Sequence, residues 1–195
     1  MIRPFVRIAA AIALSAHIVS AQAAVPAPVL LDTAGMFQDR YARVGTDLFI
    51  GGQPTERALR ELKAAGVTVV VNLRMQSEMD RVRFNERELI ESLGMKYVHI
   101  PMRGGPDAPY SPAAVTKFAD AVKSANGKVL LHCTVAWRAS HLYAAYLIKE
   151  KGVDETTALA HARSINLMDD HRMTDNGTQP VEEFLGRKLA GIKSR

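Results

Sequence analysis

Residues 67–73, VTVVVNL, form a run of β-branched and apolar side chains just after Gly66, which reads as a buried strand. The segments around it restrict the fold further. Leu48-Phe49-Ile50 is a short strand closed by Gly51-Gly52, and Thr55 can cap a helix carrying Leu59 and Leu62 that stops at Gly66. Beyond the run, helical spacing extends from about Ser77 through Leu89, Ile90 and Leu93 to Gly94, and Tyr97 to Ile100 makes another strand. Residues 101–112 hold two glycines and four prolines and read as a loop. Val115, Phe118, Ala119 and Val122 recur at helical spacing up to Asn126-Gly127, and the strand Lys128 to His132 leads straight into Cys133. Helices follow at Ala139 to Lys151, Asp154 to about Ile165 and Pro180 to Leu189. The order β-α-β-α-β-α-β-loop-α implies one three-layer α/β domain, a mainly parallel sheet with helices on both faces.

A chain of 195 residues with 48% apolar side chains fits one such domain. Its first residues stand apart from it. Arg3 and Arg7 precede a short apolar stretch, Ile8 to Val19, and Ala21-Gln22-Ala23 offers the small-x-small pattern read by signal peptidase. The expectation is a signal peptide over 1–23, a linker over 24–41 and the folded domain over 42–195. The apolar stretch is shorter than the roughly 20 residues needed to span a bilayer, so the expected location is periplasmic or secreted, with no stable membrane association after cleavage.

Removing residues 1–23 takes two arginines and no acid, leaving 23 basic and 20 acidic side chains. No basic run or basic-aromatic stripe stands out, so nucleic acid is not an expected partner, while a mild positive balance suits small anionic substrates.

An exported chain with one cysteine cannot use it for an internal disulfide. Burial is the ordinary fate of a cysteine at a strand end, but three features favour chemistry for Cys133: its solitary presence, His132 before it and Arg138 within the following loop. A strand-to-helix loop aims backbone N–H groups and the helix dipole at one spot, where they bind an anion or stabilise a thiolate. Arg138 adds a planar fork for phosphate oxygens.

The arrangement strand, His-Cys, loop, Arg, helix resembles the cysteine-dependent protein tyrosine and dual-specificity phosphatases. More closely, it resembles the bacterial phosphatase-like domain found beside a beta-lactamase-like hydrolase. The blocks that carry the resemblance are LFIGGQPTERALRELKAAGVTVVVNLR, LGMKYVHIPM and KVLLHCTVAWRAS, within roughly residues 42 to 165; the H-x-H-x-D-H metal motif of the hydrolase half does not occur. The resemblance implies that Cys133 is the nucleophile that takes the phosphoryl group and that Arg138 holds its oxygens. Asp107, the one carboxylate between Met102 and Pro112, would be the general acid, although a turn residue between two prolines reads as readily. Thr134, Val135, Ala136 and Trp137 would line the phosphate loop, and Ser140 would hydrogen-bond the thiolate or serve as a helix cap. Gln53, Asn72 and Arg74 lie at ends that the family turns toward its pocket, with Arg74 reaching a second anionic group or simply exposed. His132 would orient the loop from beneath. The substrate implied is a phosphorylated protein, phosphotyrosine by default, or a small phosphomonoester, and no cofactor is implied.

The loop also departs from the protein tyrosine phosphatases. Four residues, not five, separate Cys133 from Arg138; Ala139 intervenes before Ser140; and Ala136 stands where glycine is usual, although alanine resists a left-handed backbone. Four-residue spacing also occurs in rhodaneses, which makes a sulfurtransferase one alternative and an inactive phosphate-binding module another. A metal site is not expected: His132, Cys133 and His141 lack a zinc spacing, and MDDHRMTDN, residues 168–176, has carboxylates without a ligand loop.

Overall fold

The computed structural model describes residues 25–167 and 177–190. The expected signal peptide and the 168–176 segment lie outside the described residues.

Six strands form one sheet. They are β1 (Pro28–Leu30), β2 (Tyr41–Val44), β3 (Leu48–Gly51), β4 (Val67–Asn72), β5 (Lys96–His99) and β6 (Lys128–His132), in the spatial order β1-β2-β3-β6-β4-β5. β3, β6, β4 and β5 run parallel, while β1 and β2 add an antiparallel edge. The α/β class and mainly parallel sheet expected from the sequence are therefore present. Segment 24–41, read as a linker, instead supplies β1 and places Phe37 in the core. β1 opens with proline and is largely exposed, so it carries no core-strand signal.

The helices are α1 (Glu56–Ala64), α2 (Gln76–Met79), α3 (Glu86–Ser92), α4 (Pro112–Ser124), α5 (Trp137–Lys151), α6 (Glu155–Ile165) and α7 (Gln179–Leu185). Thr55 caps α1 as expected, its hydroxyl accepting from Ala58 N at 3.2 Å. The single helix expected from Ser77 to Gly94 is two, because the Asn85 side chain accepts from Glu88 N at 3.2 Å and starts a new helix. A short polar side chain offers the backbone an alternative to continuing a helix. The restart turns Glu86 into the interior, where it is 2% exposed.

Side chains of the central strands alternate between two cores. Ile50, Val69, Val71, Val129 and Leu131 face the core under α4 to α7, and Phe49, Val70 and Leu130 face the core under α1 and α3. That two-sided burial is why β4 and β6 read as continuous apolar runs rather than alternating ones. Among the described residues no helix is long and apolar enough to cross a membrane.

Candidate active site

β6 lies between β3 and β4, so its C-terminal end opens at the middle of the sheet edge, the usual ligand position in parallel sheets. Cys133 follows directly and is 1% exposed. The next residues continue the strand briefly: Cys133 N donates to Gly51 O at 3.3 Å, Gln53 N to Thr134 O at 2.9 Å, and Val135 bridges to Gly52. Asn166 Nδ2 donates to Val135 O at 2.5 Å. Ala136 then turns the chain at φ 66°, so alanine adopts the left-handed conformation it was expected to resist. That costs on the order of 1 kcal/mol, held by packing that leaves Ala136 with no exposed surface. α5 begins at the next residue, its first N–H groups lacking intrahelical acceptors.

Arg138, in the first turn of α5, is the best-connected side chain of the site. Nη1 donates to Glu78 Oε2 at 2.8 Å and Met102 O at 2.8 Å, with Leu73 O at 3.3 Å; Nη2 donates to Glu78 Oε1 at 2.7 Å and Thr134 Oγ1 at 3.0 Å. Burial would lower its pKa, but the bonds to Glu78 and the nearby Cys133 and Glu78 charges raise it overall. Glu78 also accepts from Met75 N at 2.8 Å and the Thr134 hydroxyl at 2.9 Å. Burial opposes its charge, yet these bonds and the Arg138 charge hold its pKa at about 2, which leaves it no proton to donate near neutrality.

Behind this pair lies a buried polar knot. Glu86 accepts from Asn72 Nδ2 at 2.7 Å and Gln53 Nε2 at 2.5 Å and faces His132 Nε2 at 3.2 Å. Burial alone would raise the Glu86 pKa; His132 and the two amides bring it below the usual value. Asn72 also bonds Tyr97 Oη at 3.0 Å, and its carbonyl oxygen accepts from Arg74 N at 2.7 Å. Arg74 bonds Gln53 Oε1 and donates Nη2 to Glu78 O at 3.0 Å. Gln53, Asn72 and Arg74, expected to face the pocket, therefore make these hydrogen bonds within the protein. Burial lowers the Arg74 pKa, with Glu78 and Glu86 opposing; at 7% exposure it is neither a surface arginine nor a free anion grip. Ser140 does not meet Cys133: its hydroxyl donates to Ala136 O at 2.8 Å, the back-bond typical of serine inside a helix.

A cavity of about 610 Å³ opens over Arg138 and Glu78, walled by Tyr110 and Trp137 and rimmed by Arg81 and Arg103. Tyr110 and Trp137 stand 6.5 Å apart. Tyr110 Oη donates to Arg103 O at 3.0 Å, and burial pushes its pKa to about 12. Loop 101–111 is drawn together by Arg103 N and Gly104 N on Ala108 O, at 3.0 and 2.9 Å, leaving Asp107 exposed. Asp107 does not line the cavity. Of the residues expected at the site, Trp137 and Arg138 line the cavity and Thr134 reaches it through its bond to Arg138; Cys133, buried beside Thr134 in the chain, is not among the lining residues. Glu78, Glu86, Tyr110, Arg81 and Arg103 were not anticipated, since each reads alone as an ordinary surface or loop residue. Among the described residues no group of three or more His, Cys, Asp or Glu side chains could hold a metal ion.

The chain is 28% identical over 132 residues to a beta-lactamase hydrolase-like protein of Xylella fastidiosa strain 9a5c, an alignment covering 66% of this chain and 30% of that protein. The chain thus spans under a third of the length of the curated relatives it matches. A DUF442 protein from Shewanella putrefaciens CN-32 shares its fold with a TM-score of 0.60 at 23% identity, over 79% of this chain and 93% of that one. P. aeruginosa TpbA in complex with pTyr aligns with a TM-score of 0.54 at 18% identity, over 70% of this chain and 77% of that one. The model for the family PTP-NADK, described as a DSP-PTPase phosphatase fused to NAD+ kinase, matches residues 32–180, so the chain belongs to this DSP-PTPase-like phosphatase family.

Proposed function

We propose that the protein is an exported, cysteine-dependent phosphomonoester phosphatase. The observation that carries this reading is the placement of Cys133 at the end of the central strand with Arg138 in the first turn of the helix that follows. In the proposed reaction the Cys133 thiolate attacks phosphorus and the bond to the leaving oxygen breaks. Asp107 protonates that oxygen, then takes a proton from the water that releases phosphate and restores the thiolate. The first N–H groups of α5 and the Arg138 guanidinium would stabilise the charge on the transferred oxygens. Phosphotyrosine is the default substrate, in keeping with the ligand of TpbA. Export rests on the basic start, apolar stretch and Ala21-Gln22-Ala23 of the first residues.

The test is phosphate release from a generic aryl phosphate by the purified protein under reducing conditions, beside Cys133→Ser and beside thiosulfate with cyanide. Release lost in the variant supports the proposal. Thiocyanate without phosphate would make the loop a sulfur carrier, and silence in both assays would favour a binding module. Recovery from a periplasmic fraction with an N-terminus at residue 24 tests export.

A further inference from the structure

The cavity over Arg138 is larger and more positive than a single phosphoryl group requires. About 610 Å³ is open there, several times the volume of a phosphate group. The charge of Arg138 is matched by Glu78 through two hydrogen bonds. The unmatched positive charge of the cavity belongs to Arg81 and Arg103. Both are exposed, and among the described residues neither has a carboxylate within salt-bridge distance. Arg103 is not loose: Nη2 donates to Ser77 Oγ at 3.3 Å, which holds it across α2. Arg81 lies just beyond the Asp80 that caps α2, its backbone N donating to Glu78 O at 3.4 Å. Two guanidinium groups thus flank the short helix that carries Glu78, while Tyr110 and Trp137 supply flat apolar walls.

Building on the phosphatase reading, we propose that the substrate is a phosphorylated ring compound bearing a second phosphate group, which Arg81 and Arg103 bind while the first phosphate is removed. Two guanidiniums suit a dianion better than a single carboxylate, and the aromatic walls suit a flat ring between the two phosphates. Arg74, the sequence-based candidate for a second anion, is committed to Gln53 and Glu78; the role passes to the two arginines at the rim.

The experiment compares an aryl phosphate carrying a phosphonate on the same ring with the parent aryl phosphate, in wild type, Arg81→Gln, Arg103→Gln and the double variant. The expected kcat/KM advantage of the doubly anionic compound is roughly tenfold at low salt and shrinks as ionic strength rises. Each single variant reduces this ratio severalfold and the double variant brings it near unity. Equal kcat/KM for the two compounds in wild type, or an equal loss on both in the variants, overturns the proposal. Calorimetric binding of the same pair to Cys133→Ser protein reads the ratio without turnover. Tighter binding of the doubly anionic compound there, with no hydrolysis by wild type, would keep the second-anion site and reject the phosphatase reading; no preference would reject the site itself. Presenting a doubly phosphorylated inositol ring both free in solution and on neutral lipid vesicles separates a soluble substrate from a lipid headgroup, and a preference over the singly phosphorylated ring in either form supports the site.

Discussion

The Glu78 carboxylate fills both arms of the Arg138 guanidinium, Oε2 to Nη1 at 2.8 Å and Oε1 to Nη2 at 2.7 Å. Nη1 also donates to Met102 O and Nη2 to Thr134 Oγ1, so all four terminal N–H groups are engaged. A phosphoryl group that grips this fork with two oxygens has to displace Glu78. Glu78→Gln keeps the size and removes the competing charge. Inhibition by inorganic phosphate should strengthen by roughly fivefold to tenfold in that variant, the worth of a charge-assisted bond against a neutral one. Weaker inhibition together with a lower kcat would mean that Glu78 instead holds Arg138 in its working position.

The same carboxylate ties stability to acid pH. Its folded pKa of about 2 lies below the ordinary 4.5, so the folded state binds its proton less readily than the unfolded chain. The contribution is complete above pH 4.5 and is lost as pH falls through about 2. Thermal melting from pH 6 downward should show a falling Tm across that window, with a shallower fall in Glu78→Gln. Some slope should remain, since the Glu86 pKa is depressed as well. Identical profiles for the two proteins would count against the Glu78–Arg138 pair as a source of stability.

Glu86 is the hub of the buried knot. It is an acceptor for Gln53 and Asn72 and the partner of His132, and its side chain has no exposed surface. Glu86→Ala would leave these groups without their acceptor inside the protein, a loss of about 3 kcal/mol or more. For a chain of this size that is a Tm drop of roughly 6–12 °C. Urea denaturation of the Ala and Gln variants measures it, with Gln expected to lose less because one carbonyl oxygen remains. A loss below about 1 kcal/mol would show that the donors find other acceptors.

Gly52 sets the distance between β3 and the Cys133 loop. A Cβ there would lie 1.8 Å from Gln38 O and 2.7 Å from Thr134 O, both backbone atoms that cannot swing aside. Gly52→Ala should cost about 3 kcal/mol, at the upper end for overpacking, and lower kcat because the displaced Thr134 shares Glu78 with Arg138. Gly105→Ala is the comparison: no atom lies within 4 Å of its added Cβ, so only its positive φ is penalised. Equal melting temperatures for the two variants would refute the steric argument.

The strands that bury both faces were legible because their apolar runs are continuous, and Cys133 stood out because it is solitary and followed by Arg138. β1 and β2 were not legible, because β1 is a largely exposed edge opening with proline and Arg43 interrupts β2, so neither shows a continuous apolar run. Glu78 and Glu86 escaped for another reason. Each sits in the first turn of a short helix, where an acid is ordinary, and only the bend at Asn85 turns Glu86 inward. Gln53, Asn72 and Arg74 were read as facing a pocket, but a strand end fixes where a side chain starts and not which neighbour takes its hydrogen bonds, and theirs go to Glu86, Glu78 and one another. Ser140 was drawn to the Ala136 carbonyl one turn back.

Asp107 is the candidate whose role depends most on the substrate. It is exposed in loop 101–111, on the same loop as Arg103 and Tyr110, which border the cavity. A general acid matters in proportion to how poorly the leaving group departs unaided. Asp107→Asn should therefore slow hydrolysis of an alkyl phosphate by roughly a hundredfold or more, and that of a nitrophenyl phosphate by less than tenfold. The fold itself should be untouched, because an exposed side chain away from the core leaves Tm within about 2 °C. A loss of the same size on both substrates would remove Asp107 from proton transfer and leave it a role in shaping the loop. No loss on either would require the leaving oxygen to take its proton from another group or from water.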